Sequence, residues 1–146
     1  MRKIPVYYYS SSSNLTGRFA EALARMDGRK TRNLARADVR RREPTEPWVL
    51  LTPSYKAGNG EEVTVPAAVR AFLRSPMTRR RMVGIIGSGN RNFGEYYQAA
   101  ARELADSSGR PVLFEFELSG TPEDVERCGA ILARLDEALD AVRHTG

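Results

Sequence analysis

At 146 residues, 41% hydrophobic and 28% charged, the chain has the length of one domain and a globular composition, enough to bury about two-thirds of its unfolded surface. A single cysteine, Cys128, excludes an intrachain disulfide and a cysteine-based zinc site, and the single histidine, His144, sits in the last few residues, which argues against a Ser-His-Asp triad. The net charge of +5 is nearly all arginine, with lysine only at positions 3, 30 and 56; the arginines alternate with Asp and Glu, so no nucleic-acid partner is expected.

Met1-Arg2-Lys3-Ile4-Pro5 enters a strand too soon for a secretory signal, and no apolar run approaches the ~20 residues of a membrane span. A cytoplasmic location without membrane contact is the expectation. Val6-Tyr7-Tyr8-Tyr9 is a β-rich run that breaks into Ser10-Ser11-Ser12-Ser13-Asn14-Leu15-Thr16 and resumes as a helical pattern with Phe19, Leu23 and Met26 on one face. Strand, hydroxyl-rich turn and helix N-terminus together gather unpaired backbone N–H groups at the positive end of a helix and surround them with hydroxyl donors. A phosphate dianion fits there without a lysine. The same stretch also reads as a loop with a Ser or Thr N-cap, and taken alone it leaves both readings open.

Gly28 is positioned to stop the first helix, and Lys30 to Leu34 gives a short second strand. Asp38 to Pro47 is charged, holds two prolines and reads as loop, with Arg40-Arg41-Arg42 solvated within it. Trp48-Val49-Leu50-Leu51-Thr52 is a continuous apolar strand, as parallel strands covered on both faces tend to be. It runs into a loop, Pro53 to Gly60, and then a helix with Pro66 in its first turn and Val69, Phe72 and Leu73 inward. Arg79-Arg80-Arg81 reads as a connection before the strand Met82 to Ile86. The loop Gly87 to Gly94 follows, then a helix from Glu95 to about Ser107 with Tyr97, Ala100, Ala101 and Leu104 on one face. Gly109 ends that helix, and Val112 to Leu118 is the last strand. The final helix opens with Thr121 as N-cap, Pro122 next, and Glu123 and Asp124 in the first turn. Its stripe of Val125, Cys128, Leu132, Leu135, Leu139 and Val142 reads as one amphipathic helix packed on a sheet rather than a coiled-coil seam, with Cys128 in the core.

Strands alternating with helices over short connections predict an α/β fold, a three-layer sandwich spanning residues 1–146 as one domain. Its parallel sheet of five strands takes the order 2-1-3-4-5. Ligands in such sheets bind beyond the carboxyl ends of the strands, which here are Ser10–Thr16, Pro53–Gly60, Gly87–Gly94 and Glu117–Thr121. Gly87-Ser88-Gly89 resembles the start of a dinucleotide fingerprint, but Asn92 stands at the third glycine position, and no stretch has P-loop spacing. Neither a catalytic residue nor a metal ligand set stands out. The first loop instead resembles the phosphate loop of flavodoxins. Tyr55 and Phe93 are aromatic stacking candidates on converging loops, and backbone groups of Gly58 to Gly60, with Asn59 between, and of Gly89 to Asn90 are placed for the polar edge of a flavin ring.

Finer motifs narrow this. YSSSSNLTGRF, LTPSY before a glycine-bearing loop, VP before a helix, GSGNRNFGEYY and PVLFEFELSGTPEDVE together resemble the NrdI family over nearly the whole chain. The resemblance implies a flavodoxin-like protein binding flavin mononucleotide (FMN), a partner of the radical-generating subunit of class Ib ribonucleotide reductase. It further implies that reduced flavin converts oxygen to superoxide for that subunit's dimanganese centre, with a flavin or thiol reductase as electron donor. Carried over by motif, Ser10, Ser11, Ser13, Asn14 and Thr16 fall on the phosphate loop. Ser54, Tyr55, Gly58, Asn59, Gly89, Asn90, Asn92, Phe93 and Gly94 fall on the ring-binding loops. Leu15 stands where relatives carry asparagine, and Lys56 adds a cation to a glycine-poorer loop, where it favours a reduced, anionic flavin. Two other functions remain open from the sequence: a general flavodoxin electron carrier, against which the basic charge weighs, and a binding module without cofactor.

Overall fold

In a computed structural model of the chain, residues 2–10, 13–54, 65–90 and 97–145 are described. In chain order the elements are β1 (Val6–Tyr8), α1 (Leu15–Asp27), β2 (Thr31–Asn33), α2 (Ala37–Arg40), β3 (Trp48–Pro53), α3 (Ala67–Phe72), α4 (Pro76–Arg81), β4 (Met82–Gly89), α5 (Ala99–Ser108), β5 (Val112–Glu117) and α6 (Pro122–Thr145). The strands pair in parallel in the order β2-β1-β3-β4-β5, the predicted flavodoxin-like topology.

Strand side chains alternate between two cores. Val6, Val49, Leu51 and Ile86 face α1 and α6, where they meet Phe19, Leu23, Cys128 and Leu132. Tyr7, Trp48, Leu50 and Ile85 face α3 and α5, where they meet Val69, Phe72, Ala100 and Ala101. Burial on both faces is why β3 reads as an unbroken apolar run. Trp48, fully buried, donates its indole N–H to the Thr78 carbonyl at 2.9 Å and packs edge-on to Tyr7 and Phe72.

Helix ends follow local chemistry. Gly28 takes a positive φ of 76° and donates its N–H to the Ala24 carbonyl, closing α1. Thr121 and Asp124 form a reciprocal capping box at the start of α6: the Asp124 N–H donates to Thr121 Oγ1 at 3.1 Å, and the Thr121 N–H to Asp124 Oδ2 at 2.9 Å.

Several local expectations are corrected. The segment expected as loop from Asp38 begins inside a one-turn helix, α2, and Arg79 to Arg81 form the last turn of α4, which Ser75 caps by accepting from the Thr78 N–H. β4 runs on to Gly89 because Gly87 and Gly89 lie within the sheet, their missing side chains admitting the turn before α5. The helix expected from Glu95 starts at Ala99, since Gln98 sits in a left-handed conformation (φ 60°) and Tyr97 in the turn ahead of it. Met26 is on the rim rather than inward, lying over Gly129 of α6, and Val142 is exposed. At 24 residues, α6 is about 36 Å long, whereas strands of three to eight residues span at most about 27 Å, so its last turns outrun the sheet.

The opposite end of the sheet holds a buried ion-pair cluster that the sequence did not signal. Arg29, 3% exposed, donates to Asp136 Oδ2 at 2.9 Å, to Asp27 Oδ2 at 3.0 Å and to the Ile4 carbonyl at 2.8 Å. Asp136, 4% exposed, also accepts from the Ile4 N–H at 2.9 Å.

Candidate functional site

The carboxyl ends of β1, β3, β4 and β5 come to one edge, and hydrogen bonds between distant segments brace them. Past Tyr8 the chain leaves the sheet, with Tyr9 N–H still bonded to the Leu51 carbonyl, and turns through Ser10 and Ser13 into α1. The residue at the N-cap position is neither Ser nor Thr. The N-cap is Asn14, in a left-handed conformation (φ 58°) with no side-chain cap of its own. Instead the buried Ser10 reaches over the helix end: its Oγ accepts from the Gly17 N–H at 3.0 Å and donates to Asn14 Oδ1 at 3.3 Å. A Cβ on Gly17 would collide with Asn14 Oδ1, so glycine is what lets the Asn14 side chain fold across the first turn.

The amides of Leu15 and Thr16 stand in that first turn, where an α-helix offers no carbonyl to receive them. Residues 9–17, Tyr-Ser-Ser-Ser-Ser-Asn-Leu-Thr-Gly, contain no carboxylate. Hydroxyls, amides and the positive helix end form a donor set suited to a phosphate. A Thr16 buried to 5% exposure crosses β3 to bond Ser88 at the end of β4, Oγ to Oγ 2.8 Å.

The next strands are tied in the same way. Ser54, directly after β3 and 3% exposed, accepts from the Ala100 N–H at 2.9 Å, supplying from another strand the cap that Gln98 does not. Gln98, fully buried, donates through Nε2 to the Phe116 carbonyl of β5 at 2.9 Å. A Cβ at Gly89 would lie 2.8 Å from the Tyr97 ring and 2.9 Å from Gln98 Nε2, so this strand end must be glycine for the turn to seat. The Gly89 carbonyl accepts from the Leu118 N–H at 2.8 Å, and Leu118 itself adopts a left-handed φ of 59°.

Of the residues expected from sequence, the structure gathers Ser10, Ser13, Asn14 and Thr16 at the start of α1, Ser54 at the end of β3, Gly89 as the last residue of β4 and Asn90 after it. Ser11, Tyr55, Gly58, Asn59, Asn92, Phe93 and Gly94 lie outside the described residues, as do Lys56 and Arg91. Sequence reading missed Ser88 and Gln98. A polar residue closing an apolar strand marks Ser88, but nothing local marks Gln98. Burial, with the Glu21 carboxylate adding to it, raises the pKa of Tyr8 above its ordinary 10.0. Among the described residues, no His, Cys, Asp and Glu cluster is placed to hold a metal, and no helix is long and apolar enough to cross a membrane.

A family profile described as NrdI Flavodoxin like matches residues 6–130. Protein NrdI of Bartonella tribocorum is 41% identical over 124 residues, covering 82% of this chain and 86% of that protein. Protein NrdI of Escherichia coli O139:H28 is 41% identical over 119 residues, covering 82% and 84%. Among solved structures, oxidised Flavodoxin 2 from Bacillus cereus matches with a TM-score of 0.60 at 18% identity, covering 92% of this chain and 99% of that one. A Fusobacterium nucleatum flavodoxin bound to flavin mononucleotide matches with a TM-score of 0.57 at 19% identity, covering 94% and 99%. At those identities the structural likenesses speak for the fold.

Proposed function

The chain belongs to the NrdI flavodoxin-like family, and on that premise we propose that it is an FMN-binding activator of class Ib ribonucleotide reductase. The observation that carries the reading is the carboxylate-free turn at the start of α1, with its hydroxyls, first-turn amides and a glycine cradle, beside the ends of β3 and β4. That donor set fits one phosphate monoester. Residues 1–146 act as one flavin-binding domain. Ser10, Ser11, Ser13, Asn14 and Thr16 hold the phosphate, and Ser54, Tyr55, Gly58, Asn59, Gly89, Asn90, Asn92, Phe93 and Gly94 hold the ring.

When bound, FMN supplies one-electron chemistry, giving an electron to oxygen so that superoxide reaches the dimanganese centre where the tyrosyl radical forms. The chain's own contribution is binding and orientation: donors at the helix end fix the phosphate, while the braced strand ends set where the loops begin. The partner is the radical-generating subunit, the electron donor a flavin or thiol reductase, and the setting the cytoplasm.

The test has two stages. The purified protein is expected to be yellow and to release FMN stoichiometrically on denaturation. Reduced and mixed with manganese-loaded radical subunit and oxygen, it is expected to generate tyrosyl radical. A yellow protein that yields no radical but passes electrons to unrelated acceptors would instead be a general flavodoxin carrier.

A further inference from the structure

Thr16 and Ser88 are 72 positions apart, yet their hydroxyls meet at 2.8 Å in the interior, and either oxygen can be the donor. A hydroxyl carries one proton and two acceptor sites, while a phosphate dianion only accepts. Thr16 stands in the first turn of α1, at the mouth of the phosphate turn. If its single proton goes to the ligand, the contact with Ser88 survives only with Ser88 as donor. The ligand thereby selects one of two proton arrangements, and the two hydroxyls become a polarised chain ending on the anion, each bond strengthening the next.

Ser88 is well held for this duty. It lies inside β4, in register with Pro53 on one side and Phe116 on the other, and is 3% exposed. Its neighbours Gly87 and Gly89 clear the α5 face, which leaves Ser88 as the polar side chain that this strand end directs toward α1. Functional groups on paired strands hold position better than those on loops. We propose that Ser88 is a positioning residue that turns the Thr16 hydroxyl onto the phosphate of the ligand, an inference that rests on the flavin mononucleotide reading above.

The experiment compares wild type, Ser88→Ala, Thr16→Val and the double variant by fluorescence titration with FMN and with riboflavin, which lacks the phosphate. The ³¹P resonance of bound FMN is recorded alongside. Ser88→Ala is expected to weaken FMN binding by about three- to tenfold, the fold-change of one net hydrogen bond. It should leave riboflavin binding unchanged, shift the ³¹P resonance, and cost nothing further when added to Thr16→Val. Equal losses for FMN and riboflavin, or losses that add to those of Thr16→Val, would mean a purely structural bond and overturn the inference. Should Ser88→Ala fail to fold, Ser88→Cys, which keeps the size and leaves a weak donor, is read by the same criteria. A wild type that takes up no FMN would remove the flavin reading itself, whereas a wild type that binds while Ser88→Ala matches it in affinity and resonance would remove only this inference.

Discussion

At the amino end of the sheet, ion pairs close the core; at the carboxyl end, hydroxyls and amides do. Around Arg29, guanidinium donors meet Asp27, Asp136 and the Ile4 carbonyl, and Asp136 in turn receives the Ile4 N–H. A buried charge is tolerated only when its partners are complete, and the donors of the buried Arg29 are all committed to Asp27, Asp136 and Ile4. Around Ser10, Thr16, Ser54 and Ser88 the groups are neutral. A hydroxyl that accepts one bond, as Ser54 does from Ala100, can still donate another, whereas Ser10 would have to give up its bond to Asn14 to do so. The contrast teaches that one end is closed by paired charges while the other is held by neutral hydrogen bonds, the kind that a phosphate, on the reading proposed above, would exchange for its own.

The largest effect is expected at the closed end. Asp136→Ala should destabilise the fold by about 3–5 kcal/mol, because it strands the buried Arg29 charge. Urea denaturation would measure that loss, and pairing it with Arg29→Met should recover much of it. FMN affinity at the far edge should hardly change; a parallel collapse in affinity would show that the two ends are not independent.

At the open end the pattern reverses. Ser11→Ala combined with Ser13→Ala should weaken FMN binding by about 3 kcal/mol or more, since bonds to a charged group are worth about 1.5–3 kcal/mol each. Stability, read by urea denaturation, should move far less than affinity. Unchanged affinity would strike out the phosphate assignment.

Cys128 lies in the core between α6 and the sheet and serves as a reference between the two ends. Burial pushes its thiol up to about 12 from an ordinary 9.0. The unfolded thiol ionises first, so its contribution to stability is full below about pH 9 and is lost as pH rises from there toward 12. Thiol-reagent kinetics at pH 8 should therefore track unfolding, and Cys128→Ala should flatten the alkaline limb of the stability curve.

The smallest stability change belongs to Gly17→Ala. The better helix propensity of alanine, about 1 kcal/mol, offsets the displacement of the Asn14 side chain. A denaturation midpoint close to wild type beside a clear drop in FMN affinity would separate packing from binding at one residue.

By itself the sequence determined which segments form elements and which of their faces are buried, because apolar runs such as Trp48–Thr52 and stripes such as Cys128 and Leu132 state which faces must leave water, and the alternation of strands with helices suited the order 2-1-3-4-5. It also marked the turn after β1 and the stops at Gly28 and Gly109, where local backbone preference decides. Helix onset at Ala99 was not legible, since it follows from a buried Gln98 amide seeking a carbonyl on β5. Nor were the bonds that define the two ends. Ser54 meets Ala100 across 46 positions, Thr16 meets Ser88 across 72, and Arg29 meets Asp136 across 107. Periodicity records whether a residue is buried, but which polar group waits for it there depends on how the whole sheet is wound, and only the tertiary structure decides that.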